Sequence, residues 1–462
     1  MQSLPALLLQ SLEGLPGYER QAFLEAHQQA APVSIRFNPG KPLARQGVLP
    51  VQQPVAWCPQ AYYLPERPVF ALHPPWHAGA YYVQEASSMF IGQIARQHLP
   101  QQHMGRTVLD LCAAPGGKST LLAGLLRPQD VLVCNEVIQT RNALLVENMT
   151  RWGHAQVVVT QNDPEDFGQL PDCFDAIVVD APCSGSGLFR RDAAAIQEWS
   201  PAAVDLCAQR QQRIVAQVWP ALKRGGLFIY ATCSYSQPEN EDIVQWMQAT
   251  LGAELLPVAL EDSWGIQPGN LQAPAGAVSR FWPHKLAGEG FFAAAMRKPE
   301  NGPAPQTLVA PVKRGNMPKK YTGKPVIPPA QLADWLKPEG GYHWYAHLDT
   351  WYAMPQPVWH FFEQNRHALR IRQAGIRLGQ IMGKQLIPEH ALALCTPLQP
   401  QVPVAEVELS DALAFLRKEN MALTFNEQGW HLISYAGCVL GWVKHLGNRT
   451  NNYLPKTWRL RM

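Results

Sequence analysis

The sequence predicts an α/β fold: a doubly wound, mostly parallel sheet, preceded by a small N-terminal cap and followed by a β-rich C-terminal module. Three observations predict it. Between residues 83 and 296, short apolar runs alternate with helix-length segments, the pattern of strands joined by crossover helices. The first of these runs opens into the turn Ala113, Ala114, Pro115, Gly116, Gly117 just where a helix begins. A proline-rich basic stretch then detaches the last third of the chain, because such a composition cannot bury a core of its own.

Taken in order, residues 1–80 contain a helical stretch at 19–28 and the mixed segment Ser34, Ile35, Arg36, Phe37, Asn38, read together as a cap packed on the sheet. Residues 81–299 form the sheet domain, with strands expected at 107–111, 131–134, 156–160, 176–179, 226–231 and 291–296. Helices such as 118–126 and 204–222 fall between them, so right-handed βαβ units on both faces are the economical arrangement. Residues 300–330 are a linker, since eight of the 41 prolines lie between Pro299 and Pro329. Residues 331–385, rich in Trp, Tyr and His, form a small intermediate domain. Residues 386–462 close the chain with short strands around one helix, capped at Ser410, and a hairpin of 429–435 and 438–444 turned by Ala436 and Gly437. No internal repeat is visible.

At 462 residues, 47% hydrophobic and 16% charged, the chain is neither a disordered segment nor a disulfide-stapled miniprotein. Its nine cysteines are scattered without a C-x-x-C pair, which excludes a disulfide framework or zinc cluster and points to a reducing compartment, the cytoplasm. No metal ligand set is expected. The aliphatic run at 7–9 lacks the basic flank and length of a signal or spanning segment, so no membrane role is expected. Net charge is +3, but residues 301–462 carry 18 Lys and Arg against 10 Asp and Glu. Lys313, Arg314, Lys319, Lys320 and Lys324 cluster without an acid, as do Lys444, Arg449, Lys456, Arg459 and Arg461. A field of that sign attracts polyanions.

The first chemical motif is the strand–turn–helix of Val108 to Thr120. Glycine lets the backbone approach a ligand, and the strand ends at the carboxyl edge where doubly wound sheets bind ligands. The candidates for holding a nucleoside cofactor are Cys112, Ala113, Ala114, Pro115, Gly116, Gly117 and Lys118, with Glu136 after the second strand for a ribose diol and Asp163 after the third for an adenine amino group. The G-x-G-x-x-G spacing of dinucleotide sites is absent. So is a P-loop, because Cys112 stands where its first glycine belongs.

Two further motifs end the fourth and fifth strands: Asp180, Ala181, Pro182, Cys183, Ser184, Gly185 and Ala231, Thr232, Cys233, Ser234. Neighbouring strand ends share one crevice, so both thiols should meet the cofactor turn. Cys112, Cys134, Cys173 and Cys207 read as small buried hydrophobes. Cys183 and Cys233 stand instead among turn residues, where a thiolate can be presented. The residues alone do not decide which of the two attacks.

The segments 109–118, 180–185 and 231–234, followed by Pro238, Glu239, Asn240 and Glu241, resemble the S-adenosylmethionine-dependent RNA (cytosine-5) methyltransferases of the nucleolar-protein/Sun family. The likeness extends to Ser34, Arg36 and Asn38, to residues 82–88, and to Arg280, Pro283, His284, Gly290, Phe291 and Phe292. It implies a Rossmann-like methyltransferase domain, S-adenosylmethionine as cofactor, Cys233 as nucleophile, Cys183 as the group assisting product release, and Asp180 facing both cofactor and cytosine. The C-terminal third resembles the PUA-like RNA-binding tail of the bacterial members that act on 16S ribosomal RNA, which implies 16S RNA or the 30S subunit as partner; the sequence does not fix the oligomeric state, and a monomer is the expectation. A transfer-RNA cytosine-5 methyltransferase is the alternative.

Lys118 has two readings, a solvated helix residue or a partner of Asp180. Tyr82, Phe189, Arg190 and Arg191 are candidates to hold a flipped base. Two rivals are weaker. An amino-methylating enzyme needs Asp/Asn-Pro-Pro-Tyr/Phe after the fourth strand, and a non-catalytic RNA chaperone should have a damaged thiol pair. Removal of residues 301–462 is expected to abolish RNA methylation and leave cofactor binding nearly intact.

Overall fold

The cap begins with helices Ala6–Ser11 and Arg20–His27, which bury Leu8, Leu9 and Phe23. Strands β1 (Val33–Phe37), β2 (Pro54–Val55), β3 (Cys58–Leu64) and β4 (Tyr81–Val83) follow as an antiparallel sheet in the order β2-β3-β1-β4. A computed structural model describes the chain at residues 3–41, 49–101, 105–301, 335–336, 341–382, 385–398, 402–421, 423 and 425–461. Nearly all of the proline-rich linker and its basic cluster lie outside the described residues.

The central sheet comes next: β5 (Thr107–Asp110), β6 (Val131–Asn135), β7 (Val157–Thr160), β8 (Phe174–Asp180), β9 (Leu222–Thr232), β10 (Glu254–Leu255), β11 (Gln267–Pro268), β12 (Val278–Phe281) and β13 (Phe291–Arg297). Strands β9-β8-β5-β6-β7 are parallel, and β13 returns antiparallel against β9. Each parallel strand is apolar on both faces, as burial on both sides demands. Val108, Leu132, Val159, Val178 and Ile229 face one core, and Leu109, Val133, Val158, Ile177 and Phe228 face the other. Helices Phe90–His98, Gly117–Ala123 and Gln139–Trp152 cover the first face; Pro201–Val218 and Glu241–Leu251 cover the second. Local chemistry sets their ends. Ser200 Oγ accepts from Ala203 N at 3.1 Å ahead of Pro201, and Gly153 stops the 139–152 helix at φ 85°.

After the linker, β14 (Tyr342–His347) and β15 (Thr350–Pro355) lead into helix Gln356–Asn365, β16 (Ile371–Ala374), β17 (Ile376–Met382) and β18 (Gln385–Pro388). Strands β14-β15-β17-β18 form their own antiparallel sheet, but β16 leaves it and pairs antiparallel with β7 as the outer strand of the central sheet. Helix Gln356–Asn365 buries Val358, Trp359, Phe361 and Phe362 in the second core, with the Phe361 ring 6.3 Å from Phe174. Part of the segment read as an intermediate domain is thus built into the methyltransferase sheet, because the open edge of β7 needs a partner for its backbone groups. This topology argues against the expectation that residues 301–462 can be removed with cofactor binding intact.

The chain ends with β19 (Val404–Glu406), β20 (Gly429–Tyr435), β21 (Cys438–His445) and β22 (Thr450–Asn452), where β20 and β21 are the expected hairpin. Helix Leu409–Arg417 starts one residue before Ser410, with Glu408 at the cap position and no side-chain capping bond. Val407 N still donates to Ser434 O at 2.9 Å, so the extended chain ends there and Ser410 falls inside the first turn. Phe415, Ile433 and Leu440 pack on Ile35, Phe37 and Tyr81 of the cap. Among the described residues no helix is long and apolar enough to cross a membrane, and no three His, Cys, Asp or Glu side chains are grouped to hold a metal ion.

Candidate active site

β5 ends at Asp110, whose Oδ2 accepts from Ser119 Oγ at 2.6 Å. Burial pushes this carboxyl up to about 7, against the lowering effect of that bond. The chain then turns through residues 111–116, tied by Leu111 N to Val178 O at 2.9 Å and Ala113 N to Asn135 O at 2.8 Å. Gly116 sits at φ 115°, a conformation open to glycine. The Cys112 thiol is pushed up by burial first and then by Asp180, Asp110 and Glu136, so three acids surround the turn.

Glu136 follows β6 and is almost fully buried. Its Oε1 accepts from Ile138 N at 2.9 Å, and its Oε2 lies 3.3 Å from Arg141. Asp163 caps helix Pro164–Gly168, accepting from Glu165 N at 3.3 Å, and pairs with Arg213 at 3.8 Å. The predicted acids Glu136 and Asp180 therefore meet at the turn, and no described contact brings Asp163 to the same cluster.

Asp180 is the last residue of β8, and its Oδ2 takes a 2.6 Å hydrogen bond from Lys118 Nζ. Burial is the largest single influence on this lysine and lowers it, but Asp180, with Cys233 and Asp110, outweighs burial and the net shift is upward. The Lys118 ammonium also lies 5.3 Å from the centre of the Phe291 ring. Of the two readings of Lys118, the structure selects the partner of Asp180.

Cys183 Sγ and Cys233 Sγ are 3.2 Å apart, too far for a disulfide, and all nine cysteines are free. Both thiols are partly exposed. The bond to Cys233, and then burial, push the Cys183 thiol well up.

A carboxylate that sequence reasoning did not assign a role ties the two loops together. Glu239 is fully buried and accepts at 2.6 Å from Ser184 N, Ser184 Oγ and Ser234 Oγ, the neighbours of both cysteines. Asn240 Nδ2 donates to Ser234 O at 2.8 Å. Glu241 pairs with buried Arg280, which reaches Tyr235 O at 2.8 Å. Gly187 N donates to Cys233 O at 2.9 Å, and a Cβ on Gly187 would lie 2.3 Å from Gly290 O; that close approach requires glycine. The available signal was three polar residues in succession, Glu239, Asn240 and Glu241, beside a strand end.

Arg36 is a second such residue. Buried without an acid, it donates to Thr120 Oγ1 at 2.7 Å, Gly117 O at 3.2 Å and Gln84 Oε1 at 3.0 Å, holding the cofactor turn to the cap. Of the base-holding candidates, Tyr82 stands beside Gly117. Phe189 packs into a cluster with Leu8 and Phe23, and Arg190 is buried against Glu289 at 3.1 Å. Both are structural, because they anchor the cap helices to the loop after β8. Arg191, more exposed, lies 3.5 Å from Glu289.

Comparison with known proteins gives the family. Residues 98–297 match the family model of the 16S rRNA methyltransferase RsmB/F, residues 4–86 the N-terminal domain of 16S rRNA methyltransferase RsmF, and residues 402–460 the methyltransferase RsmF PUA domain. The chain is 31% identical over 416 residues to the ribosomal RNA small subunit methyltransferase F of Shewanella loihica, covering 87% of this chain and 83% of that one. With the protein of the same description from Aeromonas hydrophila the identity is 32% over 420 residues, covering 87% and 84%. A solved methyltransferase homologue from Pyrococcus horikoshii superposes with TM-score 0.51 at 27% identity, over 64% of this chain and 100% of that one. NSun6 from the same organism gives TM-score 0.53 at 20% identity, over 64% and 98%, and shares the fold. The chain belongs to the RsmB/F family of S-adenosylmethionine-dependent RNA cytosine-5 methyltransferases.

Proposed function

We propose that the chain methylates C5 of one cytosine in 16S ribosomal RNA, within the 30S subunit, through a covalent adduct between Cys233 and cytosine C6. The observation that carries this reading is the thiol pair at 3.2 Å beside the Lys118–Asp180 pair. The residues at the turn fit S-adenosylmethionine. Asp110 Oδ1 is buried without a hydrogen-bond partner among the described residues, the acids suit a cationic ligand, Glu136 suits a ribose diol, and Gly116 and Gly117 let the backbone approach it closely. Cys112, Ala113, Ala114, Pro115, Lys118 and Asp163 complete the proposed cofactor set. When bound, S-adenosylmethionine supplies the methyl group as an electrophile.

Cytosine C5 is a poor nucleophile until a sulfur adds to C6, so covalent catalysis is needed. Cys233 forms the S–C6 bond, and the displaced electron pair makes C5 an enamine carbon. Asp180, held by Lys118, accepts a hydrogen bond from the cytosine 4-amino group and so orients the base; the Lys118 ammonium offsets the negative charge that sulfur addition places on the ring. Product release breaks the C5–H and C6–S bonds. Cys183 gives its proton to the departing Cys233 sulfur, and the Cys183 sulfur takes the proton leaving C5, so both cysteines end as thiols. Nine free thiols suit a reducing cytoplasm, and a monomer contains both cysteines. The C-terminal positive charge suits a large RNA.

The test is methyl transfer from labelled S-adenosylmethionine to 30S subunits, naked 16S RNA and bulk transfer RNA. Label in 30S or 16S alone supports the reading; label in transfer RNA alone keeps the chemistry and overturns the substrate.

A further inference from the structure

A cavity of about 270 Å³ opens between strand β4 of the cap and the end of helix Gln139–Trp152. Its wall includes Arg67, Phe70, Trp76, Tyr82, Arg151 and Trp152. Among the described residues, none lining it is acidic. Cations interleaved with aromatic faces are the composition that binds unpaired nucleotides, the rings taking the base and the guanidiniums the phosphate.

Three contacts place this cavity with respect to the rest of the molecule. Asn148, in its wall, donates through Nδ2 to Pro115 O at 2.7 Å, so the cavity lies against the outside of the glycine-rich turn. Tyr82 separates it from Gly117, where an added Cβ would lie 3.5 Å from its ring. The Arg151 guanidinium lies 4.6 Å from the Trp76 ring and 5.0 Å from Trp458 of the C-terminal module. Trp458 is flanked by exposed Lys456 and Arg459, and both act on Lys418 as like charges. A cationic rim therefore joins the C-terminal module to the cavity.

Arg151 is anchored on its own helix by Glu147 at 2.6 Å and Asn148 at 2.8 Å. Arg67 is exposed, lies 5.5 Å from the Phe70 ring, and makes no ion pair among the described residues. It is the cation left for a ligand.

We propose that this cavity is a subsite for one unpaired nucleotide of the substrate RNA, with its base against the aromatic wall and its phosphate at Arg67. The proposal deepens the reading of the chain as an enzyme acting on RNA and rests on it; it does not depend on which RNA is methylated. Tyr82 stands between the subsite and the cofactor turn.

The test is equilibrium binding of a short fluorescent single-stranded RNA to the whole protein at a series of salt concentrations, with calorimetric binding of S-adenosylmethionine as control. Arg67→Ala should weaken RNA binding and lower the slope of log affinity against log salt by about 0.7 to 0.9, the value of one phosphate contact. Trp76→Ala should weaken binding roughly 5- to 100-fold, and Trp76→Phe should restore most of it. Cofactor affinity should stay at the wild-type value in Arg67→Ala. An unchanged affinity and slope in Arg67→Ala overturns the subsite, whatever Trp76→Ala does to folding. If the wild type labels none of the RNAs above yet Arg67→Ala lowers the slope, the subsite stands and the proposed reaction fails.

Discussion

Truncation after Asn301 measures how far the last third belongs to the methyltransferase sheet. Met354, Val358, Phe361, Phe362 and Leu369 are each at most 6% exposed and lie in the core on the second face of the sheet. A fully buried side chain of this kind is worth about 1.5–3 kcal/mol, so together they contribute roughly 8–15 kcal/mol, an upper figure because the unfolded chain already buries some of that surface. A whole domain is stable by only about 5–15 kcal/mol. The same cut removes β16 from β7 and frees the loop after it, where Gln161 N donates to Arg370 O, and Arg370 N to Asn162 Oδ1, both at 3.0 Å. Residues 1–301 should therefore aggregate or melt more than about 15 °C below the whole chain, and lose measurable S-adenosylmethionine binding. Circular-dichroism melts and calorimetric titration of both proteins give the answer. A truncated chain that melts within a few degrees of the full one and binds cofactor equally well refutes the reasoning.

Other outcomes follow from the site and the core. Glu239→Ala should lower stability by about 2–4 kcal/mol, since it leaves buried Ser184 and Ser234 donors without their charged acceptor; single-turnover methylation should slow at least about tenfold while cofactor affinity holds. Lys118→Gln should cut kcat more than it raises KM for RNA, because the lost charge supports Asp180; equal loss of both argues for a packing role. Burial holds His27, His77 and His154 at about 4 and His390 at about 3. Only the unfolded chain takes up these protons below its ordinary value of about 6.5, so stability should fall as pH drops from about 6.5 towards 4. Near pH 5 the four contribute roughly 5 kcal/mol per pH unit, visible as a steep fall in Tm, and a flat Tm across that window contradicts their neutral burial.

The five parallel strands and antiparallel β13 were legible because each is a local apolar run, and all six lie within a few residues of the strands expected. β16 was not. Its four residues Ile371, Arg372, Gln373 and Ala374 are half polar, as suits an outer strand, and nothing local says that they pair with β7, far earlier in the chain. The site divides in the same way. Cys183 and Cys233 could be brought together from strand order alone, since both follow strands ending at one edge. Glu239 could not, because its partners are Ser184 and Ser234, and only folding brings Ser184 to it. Phe189 and Arg190 sit beside the Cys183 loop in sequence, yet their side chains turn to the cap helices and Glu289. Sequence proximity to a catalytic motif says little about the direction of a side chain.

The division of labour between the two thiols is open to a direct measurement. Wild type, Cys183→Ala and Cys233→Ala are each incubated with S-adenosylmethionine and the RNA that the wild type methylates, then run on denaturing gels. Cys183→Ala should accumulate a protein–RNA band that survives denaturation, because the C6–S bond forms but its release is impaired, and Cys233→Ala should give neither band nor methylated RNA. A stable band in Cys233→Ala, with none in Cys183→Ala, contradicts the assignment and makes Cys183 the attacking sulfur.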